Sequence, residues 1–131
     1  MLDRLMISAV RLDEVVRFVV PGVHFEKYGA ANQPWDNKVA QVVDDVWKQT
    51  TPAQGTCEWY TLYLRWFVMP EYPRQDLDNL RLKPILDSLT HKHLWPDDDV
   101  RYVRAIYSEA VLVTNASDQH VEVSVLGKVK L

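Results

Sequence analysis

The sequence predicts an α/β fold of the α+β kind, with two layers: a four-stranded mixed sheet and two helices on one face. Three observations indicate this fold. Runs rich in β-branched and aromatic residues occur four times, apolar residues recur at helical spacing in two other segments, and the two patterns follow the order β-α-β-α-β-β. Helices that alternate with strands in this way are expected to cover one face of the sheet. The 131 residues are enough for a single domain with one core, spanning residues 1–131.

The strands are recognised by their composition and by the turns that end them. The four runs are residues 15–20, 57–69, 100–113 and 120–125. The first run stops at Pro21-Gly22, and the last two are joined by the turn-prone residues 114–118. The run 57–69 is apolar on both faces, which is typical of a strand in the middle of a sheet. Residues 1–14 are too weakly patterned to assign.

The helices are recognised by apolar spacing. After a loop at 21–33, Pro34 suits the first turn of a helix, and an apolar stripe runs from Trp35 to Trp47. The second helix, at about 80–91, carries four apolar residues spaced i, i+3, i+4 and i+7: Leu82, Ile85, Leu86 and Leu89. Both stripes predict amphipathic helices that pack against the sheet.

The composition, 47% apolar and 25% charged, is typical of a soluble globular protein. No apolar run approaches the roughly 18 residues of a membrane span, and no leader peptide is recognisable, so no membrane partner is expected. The single cysteine, Cys57, cannot form an internal disulfide, which favours a cytoplasmic location. A small-molecule cofactor is not expected.

Two aspartates between the second strand and the second helix form the first candidate site. In an extended chain, Asp76 and Asp78 point to the same side while Leu77 points inward. Two carboxylates held close together repel each other unless a cation lies between them. Ligands that are all oxygens favour Mg²⁺, with Mn²⁺ as the alternative. The competing interpretation is that both aspartates are turn and N-cap residues of the helix that follows.

A second acidic cluster, Asp97-Asp98-Asp99, follows the second helix directly after Trp95-Pro96. Three adjacent aspartates are electrostatically costly unless they are solvated or bound to a cation, so a solvated turn is the alternative here. A short loop after the helix is expected to bring the two acidic clusters together at one rim of the sheet. Together the clusters predict one metal centre.

Net charge weakens a nucleic-acid interpretation without excluding it. The whole chain carries a formal charge of −3, which does not favour a polyanionic partner. Residues 65–104, however, hold seven basic and seven acidic side chains, and three of those acids are the candidate metal ligands. With cations bound, this middle segment becomes clearly positive.

Three short elements within residues 74–103 resemble the signature of RusA-type Holliday junction resolvases. They are the runs Asp76-Leu77-Asp78-Asn79-Leu80, Lys83-Pro84-Ile85-Leu86-Asp87-Ser88-Leu89 and Trp95-Pro96-Asp97-Asp98. In that family a D-x-D-N-L element, a lysine-bearing helix ending in D-x-L and a Trp-x-Asp-Asp turn occur in this order and at close to this spacing. The resemblance covers about a quarter of the chain, and it is specific because three separate elements coincide.

The resemblance implies a Mg²⁺-dependent endodeoxyribonuclease that acts as a homodimer and places paired symmetric nicks in four-way DNA junctions during recombination and repair. By position, Asp76, Asp78 and Asp98 are the catalytic metal ligands, with Asp99 as an alternate for Asp98. Lys83 matches the family's helix lysine and is expected near the scissile phosphate. Phosphate contacts are expected from four basic residues of this segment: Arg74, Lys83, Lys92 and Arg101.

Two departures from the family pattern bear on these expectations. The loop after the first strand lacks the family's asparagine pair, and the lysine lies one residue further from the first acidic element. Because Leu82 belongs to the apolar stripe, the extra residue is expected to be absorbed before Lys83. Lys83 then points towards Asp76 and Asp78, and Arg81 lies outside the acidic cluster.

Other functions fit the same residues. One is a nuclease for other branched DNA, since branch geometry is read by the dimer surface. A second is a catalytically weak or silent DNA-binding or accessory module on the same fold, which the acidic net charge favours. The aromatic residues of the second strand, Trp59, Tyr63 and Phe67, are candidates for the dimer interface and equally for the core.

Overall fold

The structure, a computed structural model, describes residues 11–52, 56–70 and 75–130. Within these ranges the chain forms four strands and two α-helices in the predicted order. They are β1 (Leu12–Pro21), α1 (Gln33–Thr50), β2 (Cys57–Val68), α2 (Lys83–His91), β3 (Val103–Leu112) and β4 (His120–Val129). Short 3-10 turns lie at Gly29–Asn32, Leu77–Asn79 and Ala116–Asp118. The first ten residues and Arg74 lie outside the described ranges.

The four strands form one mixed sheet in the order β1-β4-β2-β3. β4 runs antiparallel to both β1 and β2, whereas β2 and β3 are parallel, with Tyr60 paired to Val103 and Val68 to Leu112. β2 is therefore an inner strand, as its two apolar faces predicted. β3 is an edge strand, and its parallel pairing requires the crossover that α2 supplies.

One face of the sheet packs against both helices and forms the core. Leu62, Leu64 and Trp66 of β2 are completely buried on this face, and Trp66 lies 6.4 Å from the Trp35 ring of α1. α2 contributes Ile85, which is also completely buried. Each large apolar side chain removed from water in this way contributes about 1.5–3 kcal/mol. The predicted two-layer architecture is confirmed.

The opposite face of the sheet is covered by no helix within the described ranges. Trp59, Tyr63 and Phe67 lie on this open face and are half-buried, so they belong to a surface and not to the core. The Tyr63 ring lies 6.1 Å from that of Tyr107, and the Phe67 ring stacks on that of His120 at 4.1 Å. The open face thus carries two pairs of aromatic rings, with Arg65 and its carboxylate partners Glu109 and Glu122 between them.

The ends of the elements differ from the sequence predictions for local reasons. Gly22 adopts a φ of 82°, a left-handed conformation that favours glycine, and β1 continues up to this turn. α1 extends to Thr50 because Thr51 caps it in a left-handed conformation with a φ of 43°. α2 starts at Lys83 and not near residue 80, because a 3-10 turn occupies the preceding residues. No helix in the described ranges is long and apolar enough to cross a membrane.

Candidate functional site

The segment that carries Asp76 and Asp78 leaves the end of β2 and makes a 3-10 turn at Leu77–Asn79. Asp76 is extended, with a φ of −82° and a ψ of 152°, and it occupies the N-cap position of this turn without a side-chain cap hydrogen bond. The expectation of an extended segment with Leu77 pointing inward is therefore wrong, since Leu77 is 42% exposed. The competing interpretation, in which the aspartates cap the helix that follows, does not apply to α2. This helix begins at Lys83, and its N-cap is Leu82.

The residues after this turn are fastened to the loop that follows β1. The Glu26 amide donates to the Asn79 carbonyl at 2.6 Å, and the Arg81 amide donates to the His24 carbonyl at 2.9 Å. Between these two bonds, Phe25 and Leu80 form an antiparallel bridge. The acidic segment is thus anchored at its carboxyl end by a small patch of sheet, although no regular strand follows it.

Arg81 extends this anchor through its side chain. Its guanidinium donates two hydrogen bonds of 2.8 Å to the Asp36 carboxylate and two of 2.8 Å to that of Glu26, and only 16% of the side chain is exposed. The hydrogen bonds to Asp36 and then to Glu26 raise the pKa of Arg81 well above its ordinary value. The Trp35 indole also donates to the Arg81 carbonyl at 3.0 Å. Arg81 is therefore occupied away from the acidic pair, as the sequence predicted.

Asn32 holds the same loop from inside. Its side chain is buried, and its amide nitrogen donates to Glu26 Oε2 and to the Lys27 carbonyl, both at 2.8 Å. Its side-chain oxygen accepts a hydrogen bond from the Lys27 amide at 3.0 Å and lies 2.8 Å from His24 Nε2. Sequence reasoning missed this network, because no local pattern connects its members and because Glu26 links it to Arg81, which is 55 residues away.

The carboxylates of Asp76 and Asp78 differ from those of Glu26 and Asp36 in having no partner. Both aspartates are exposed, and no described residue donates a hydrogen bond or an ion pair to either side chain. Asp76 borders a cavity of about 130 Å³ together with Leu112, and Asp78 borders one of about 440 Å³ together with Ile106. Leu77 lines both cavities. The two acids therefore lie on the rim of a largely apolar groove beside β3.

The three aspartates of the second cluster have three different environments. The Asp97 carboxylate accepts a hydrogen bond from the Asp98 amide at 2.8 Å. The Arg101 guanidinium donates to the Asp99 carboxylate at 2.7 and 3.1 Å, and this hydrogen bonding lowers the pKa of Asp99. The Asp98 side chain is exposed and receives no hydrogen bond or ion pair from a described residue. Asp98 is therefore the member of the cluster that resembles Asp76 and Asp78.

The two acidic clusters do not meet in this chain as expected. Asp99 lies at the amino end of β3, where its carbonyl accepts from the Val103 amide at 2.9 Å, whereas Asp76 lies beside Leu112 at the other end. β3 itself is about 30 Å long. No group of three or more histidine, cysteine or acidic side chains within the described ranges is close enough to hold a metal ion. The expected single centre of Asp98 with Asp76 and Asp78 is therefore not formed among the described residues.

The basic residues expected at the site are engaged by carboxylates. Lys83 is 70% exposed at the first turn of α2, and its amine lies 3.4 Å from Asp87, not beside the aspartate pair. Lys92 pairs with Asp44 at 2.5 Å, and Arg101 is bound to Asp99 as described above. A phosphate at any of these positions must displace or share a carboxylate. Arg74 lies outside the described residues.

The donor set at the acidic turn suits Mg²⁺ in its chemistry. Mg²⁺ takes oxygen ligands, keeps several waters, and is commonly held by one or two carboxylates together with substrate phosphates. Asp76 and Asp78 offer two exposed carboxylates that no described cation neutralises. The residues present therefore fit a cation that needs only these two protein ligands.

No protein-family model matches the chain, and no curated protein is detectably similar to it in sequence. Any function for the site consequently rests on the residues themselves and on the three short elements found in the sequence.

Proposed function

We propose that this protein is a Mg²⁺-dependent endodeoxyribonuclease of the RusA type, which resolves four-way DNA junctions by paired symmetric nicks. The observation that carries the proposal is that the carboxylates of Asp76 and Asp78 are exposed and receive no hydrogen bond or ion pair from a described residue. Glu26, Asp36 and Asp87 are all bound to basic side chains, whereas no basic side chain among the described residues binds Asp76 or Asp78. Two exposed carboxylates two residues apart, with no ion pair from a described residue, suit a cation.

Each residue has a distinct role in this proposal. Asp76 and Asp78 hold the Mg²⁺ ion. Asp98 is proposed as a further catalytic acid, favoured over Asp99 because Arg101 already binds Asp99, but it does not complete a three-ligand group with the other two among the described residues. When bound, Mg²⁺ (or Mn²⁺) would neutralise the scissile phosphate and lower the pKa of a water ligand. Lys83 binds the same phosphate after releasing Asp87. Such a release is cheap, since an exposed helical ion pair is worth only about 0.3–0.5 kcal/mol.

The DNA contacts follow from charge. Arg74, Lys92 and Arg101 contact backbone phosphates on the two sides of the scissile bond. Lys92 is paired with Asp44 and Arg101 with Asp99, and both carboxylates are surface groups. Phosphate therefore competes with them readily at low salt. Binding should accordingly fall steeply as salt rises.

The proposed assembly is a homodimer, since two symmetric nicks need two active sites related by a two-fold axis. Support comes from the open face of the sheet, where aromatic rings are exposed and Arg65 is paired with Glu109 at 2.6 Å. A surface that combines aromatic rings with paired charges suits a protein partner. Light scattering should give the mass of two chains. Tyr107→Glu on the open face should yield one chain, whereas Tyr28→Glu, a control at a 98% exposed tyrosine, should not.

The proposed function is tested with a synthetic four-way junction and a linear duplex of the same sequence. With Mg²⁺, the wild-type protein should nick the junction at symmetric positions and leave the duplex intact, and EDTA should stop the reaction. The variant carrying Asp76→Asn, Asp78→Asn and Asp98→Asn should bind the junction without cutting it. Cutting by this triple variant, or no cutting by the wild-type protein with either Mg²⁺ or Mn²⁺, contradicts the proposal.

A second candidate is a catalytically silent DNA-binding or accessory module. Two observations favour it: the formal net charge of −3, and the absence of a three-ligand group among the described residues. This module binds junctions as tightly with EDTA as with Mg²⁺ and never nicks them. A nuclease for other branched DNA is recognised in the same assay by cutting flaps or forks faster than four-way junctions.

A further inference from the structure

The turn that carries Asp76 and Asp78 has little structure of its own. Residues 75–79 are all exposed, and the turn is internally closed by backbone bonds that Asn79 and Leu80 donate to Asp76 and Leu77. Only at Leu80, which is 4% exposed, does the chain enter the core. The orientation of the two acids therefore depends on how the residues just after them are held.

Those residues are held by groups from elsewhere in the chain, and the contacts converge on Arg81. Asp36 lies in the first turn of α1, and Glu26 lies in the loop after β1, so the guanidinium joins two elements that are 45 and 55 residues away in sequence. The Arg81 amide and carbonyl are also bonded, to His24 and to the Trp35 indole. Both the backbone and the side chain of Arg81 are thus fixed.

We propose that Arg81, clasped by Asp36 and Glu26, is a positioning residue for the Asp76–Asp78 metal ligands of the proposed nuclease. The clasp acts in two ways. It fixes the backbone three residues after Asp78, so the turn cannot reorient. It also engages the Arg81 guanidinium with two other carboxylates, which keeps that cation from neutralising the acids that must bind Mg²⁺.

Arginine is required for this geometry. Its planar fork presents five donors, and the four hydrogen bonds to two carboxylates involve all three of its nitrogens. Lysine carries the same charge but forms no bidentate pair. Arg81→Lys should therefore restore only part of what Arg81→Met loses, whereas a role limited to charge predicts full restoration.

The test compares Arg81→Met, Arg81→Lys and Glu26→Gln with the control Arg11→Met. Arg11 makes a two-point ion pair with Asp13, but that pair is exposed and local. Three quantities are measured in each protein: the affinity for Mn²⁺ by electron paramagnetic resonance, the single-turnover nicking rate at saturating junction, and amide hydrogen exchange over residues 76–81. Glu26→Gln keeps the Asp36 arm and so remains informative if Arg81→Met does not fold.

Arg81→Met should weaken Mn²⁺ binding and slow nicking by about tenfold to a hundredfold, the range found when groups that orient metal ligands are removed. Junction affinity should change less than about twofold, and exchange at 76–81 should quicken. Arg81→Lys and Glu26→Gln should fall between Arg81→Met and the wild type, and Arg11→Met should match the wild type.

Two results overturn the inference. The first is that Arg81→Met and Glu26→Gln lower the melting temperature but leave the Mn²⁺ affinity and the nicking rate at wild-type values. Arg81 would then have a structural role only. The other is unchanged amide exchange over 76–81 in folded Arg81→Met. The second result applies even if the wild-type protein neither binds Mn²⁺ nor cuts DNA, so failure of the clasp and failure of the proposed function are distinguishable.

Discussion

Two pairs of carboxylates are associated with the segment that runs from Asp76 to Arg81, and they differ in their hydrogen-bond partners. Glu26 and Asp36 converge on Arg81 with four hydrogen bonds of 2.8 Å. Asp76 and Asp78, a few residues earlier, receive nothing from any described residue. Glu26 and Asp36 connect the loop after β1 and the first turn of α1 to Arg81. The carboxylates of Asp76 and Asp78 make no such contact with a described residue. This difference separates acids kept for structure from acids available for binding.

Exposure makes the bare pair tolerable. Two like charges about 4 Å apart repel by about 1 kcal/mol in water but by several times more where the surroundings are less polar. Asp76 and Asp78 are exposed, so the fold can carry them without a counter-ion. Only 16% of the Arg81 side chain is exposed, so water cannot solvate its charge in the same way and the charge needs its carboxylate partners.

The largest expected effect on nicking is at Asp76 and Asp78. Asp76→Asn and Asp78→Asn should each reduce junction nicking by at least about a thousandfold, because each removes a charge that holds the cation. The free energy of unfolding should stay the same or rise slightly, since a repulsion is relieved. Nicking is followed with Mg²⁺, and unfolding is followed in urea without metal.

The matched control is Asp36→Asn, in the paired set. It should lower the free energy of unfolding by about 1–3 kcal/mol, because part of the guanidinium loses its charged partner. If Asp76→Asn destabilises the protein as much as Asp36→Asn does, the separation of structural from functional acids is wrong.

The second prediction distinguishes the members of the Asp97-Asp98-Asp99 run. Asp98→Asn should slow nicking by about a hundredfold without changing stability, as expected for a catalytic acid that receives no hydrogen bond or ion pair from a described residue. Asp99→Asn should leave the nicking rate within about threefold and should lower the free energy of unfolding only slightly, because its ion pair with Arg101 is exposed. The opposite ranking of the two nicking rates assigns this catalytic role to Asp99, the alternate that the sequence left open.

Much of the fold was predictable because its signals are local. Periodicity gave all four strands and both helices in order, and the two apolar faces of residues 57–69 placed that strand inside the sheet. The path of the acidic turn was not predictable in the same way. The extended conformation expected at Leu77 gave way to a 3-10 turn, because the bridge between Phe25 and Leu80 fixes the chain from outside the segment.

The site was predictable in its residue types but not in its assembly. Sequence identified the acids, yet it had no signal for the partners of Arg81, which lie 45 and 55 residues away. It also placed the two acidic clusters at one rim of the sheet. The parallel pairing of β2 with β3 returns the chain to the opposite end, beside Tyr60, so the second cluster approaches β3 from there.

The third prediction concerns Lys83, which the structure places with Asp87 and not with Asp76 and Asp78. Lys83→Ala should slow nicking by about tenfold, equal to about 1.4 kcal/mol of barrier. Asp87→Asn, which frees the amine without removing it, should leave the rate unchanged or raise it. Equal losses in both variants would mean that the pair acts as a helix-stabilising contact and that Lys83 does not reach the phosphate.

The smallest expected effect concerns a paired acid far from the turn. Asp44 of α1 is bound to Lys92, and this hydrogen bond lowers its pKa from the ordinary 3.8. A carboxyl whose pKa is depressed by folding adds stability above pH 3.8, and that stability is lost as the pH falls through the lowered value. Asp44→Asn should therefore have a smaller free energy of unfolding than the wild type at pH 7, and the gap should narrow below pH 3.8. Asp45→Asn is the control, because Asp45 accepts a hydrogen bond from the neutral Gln41 on the same helix. Urea unfolding across this pH range measures both variants, and a gap for Asp44→Asn that persists in acid would show that its pairing with Lys92 does not stabilise the fold.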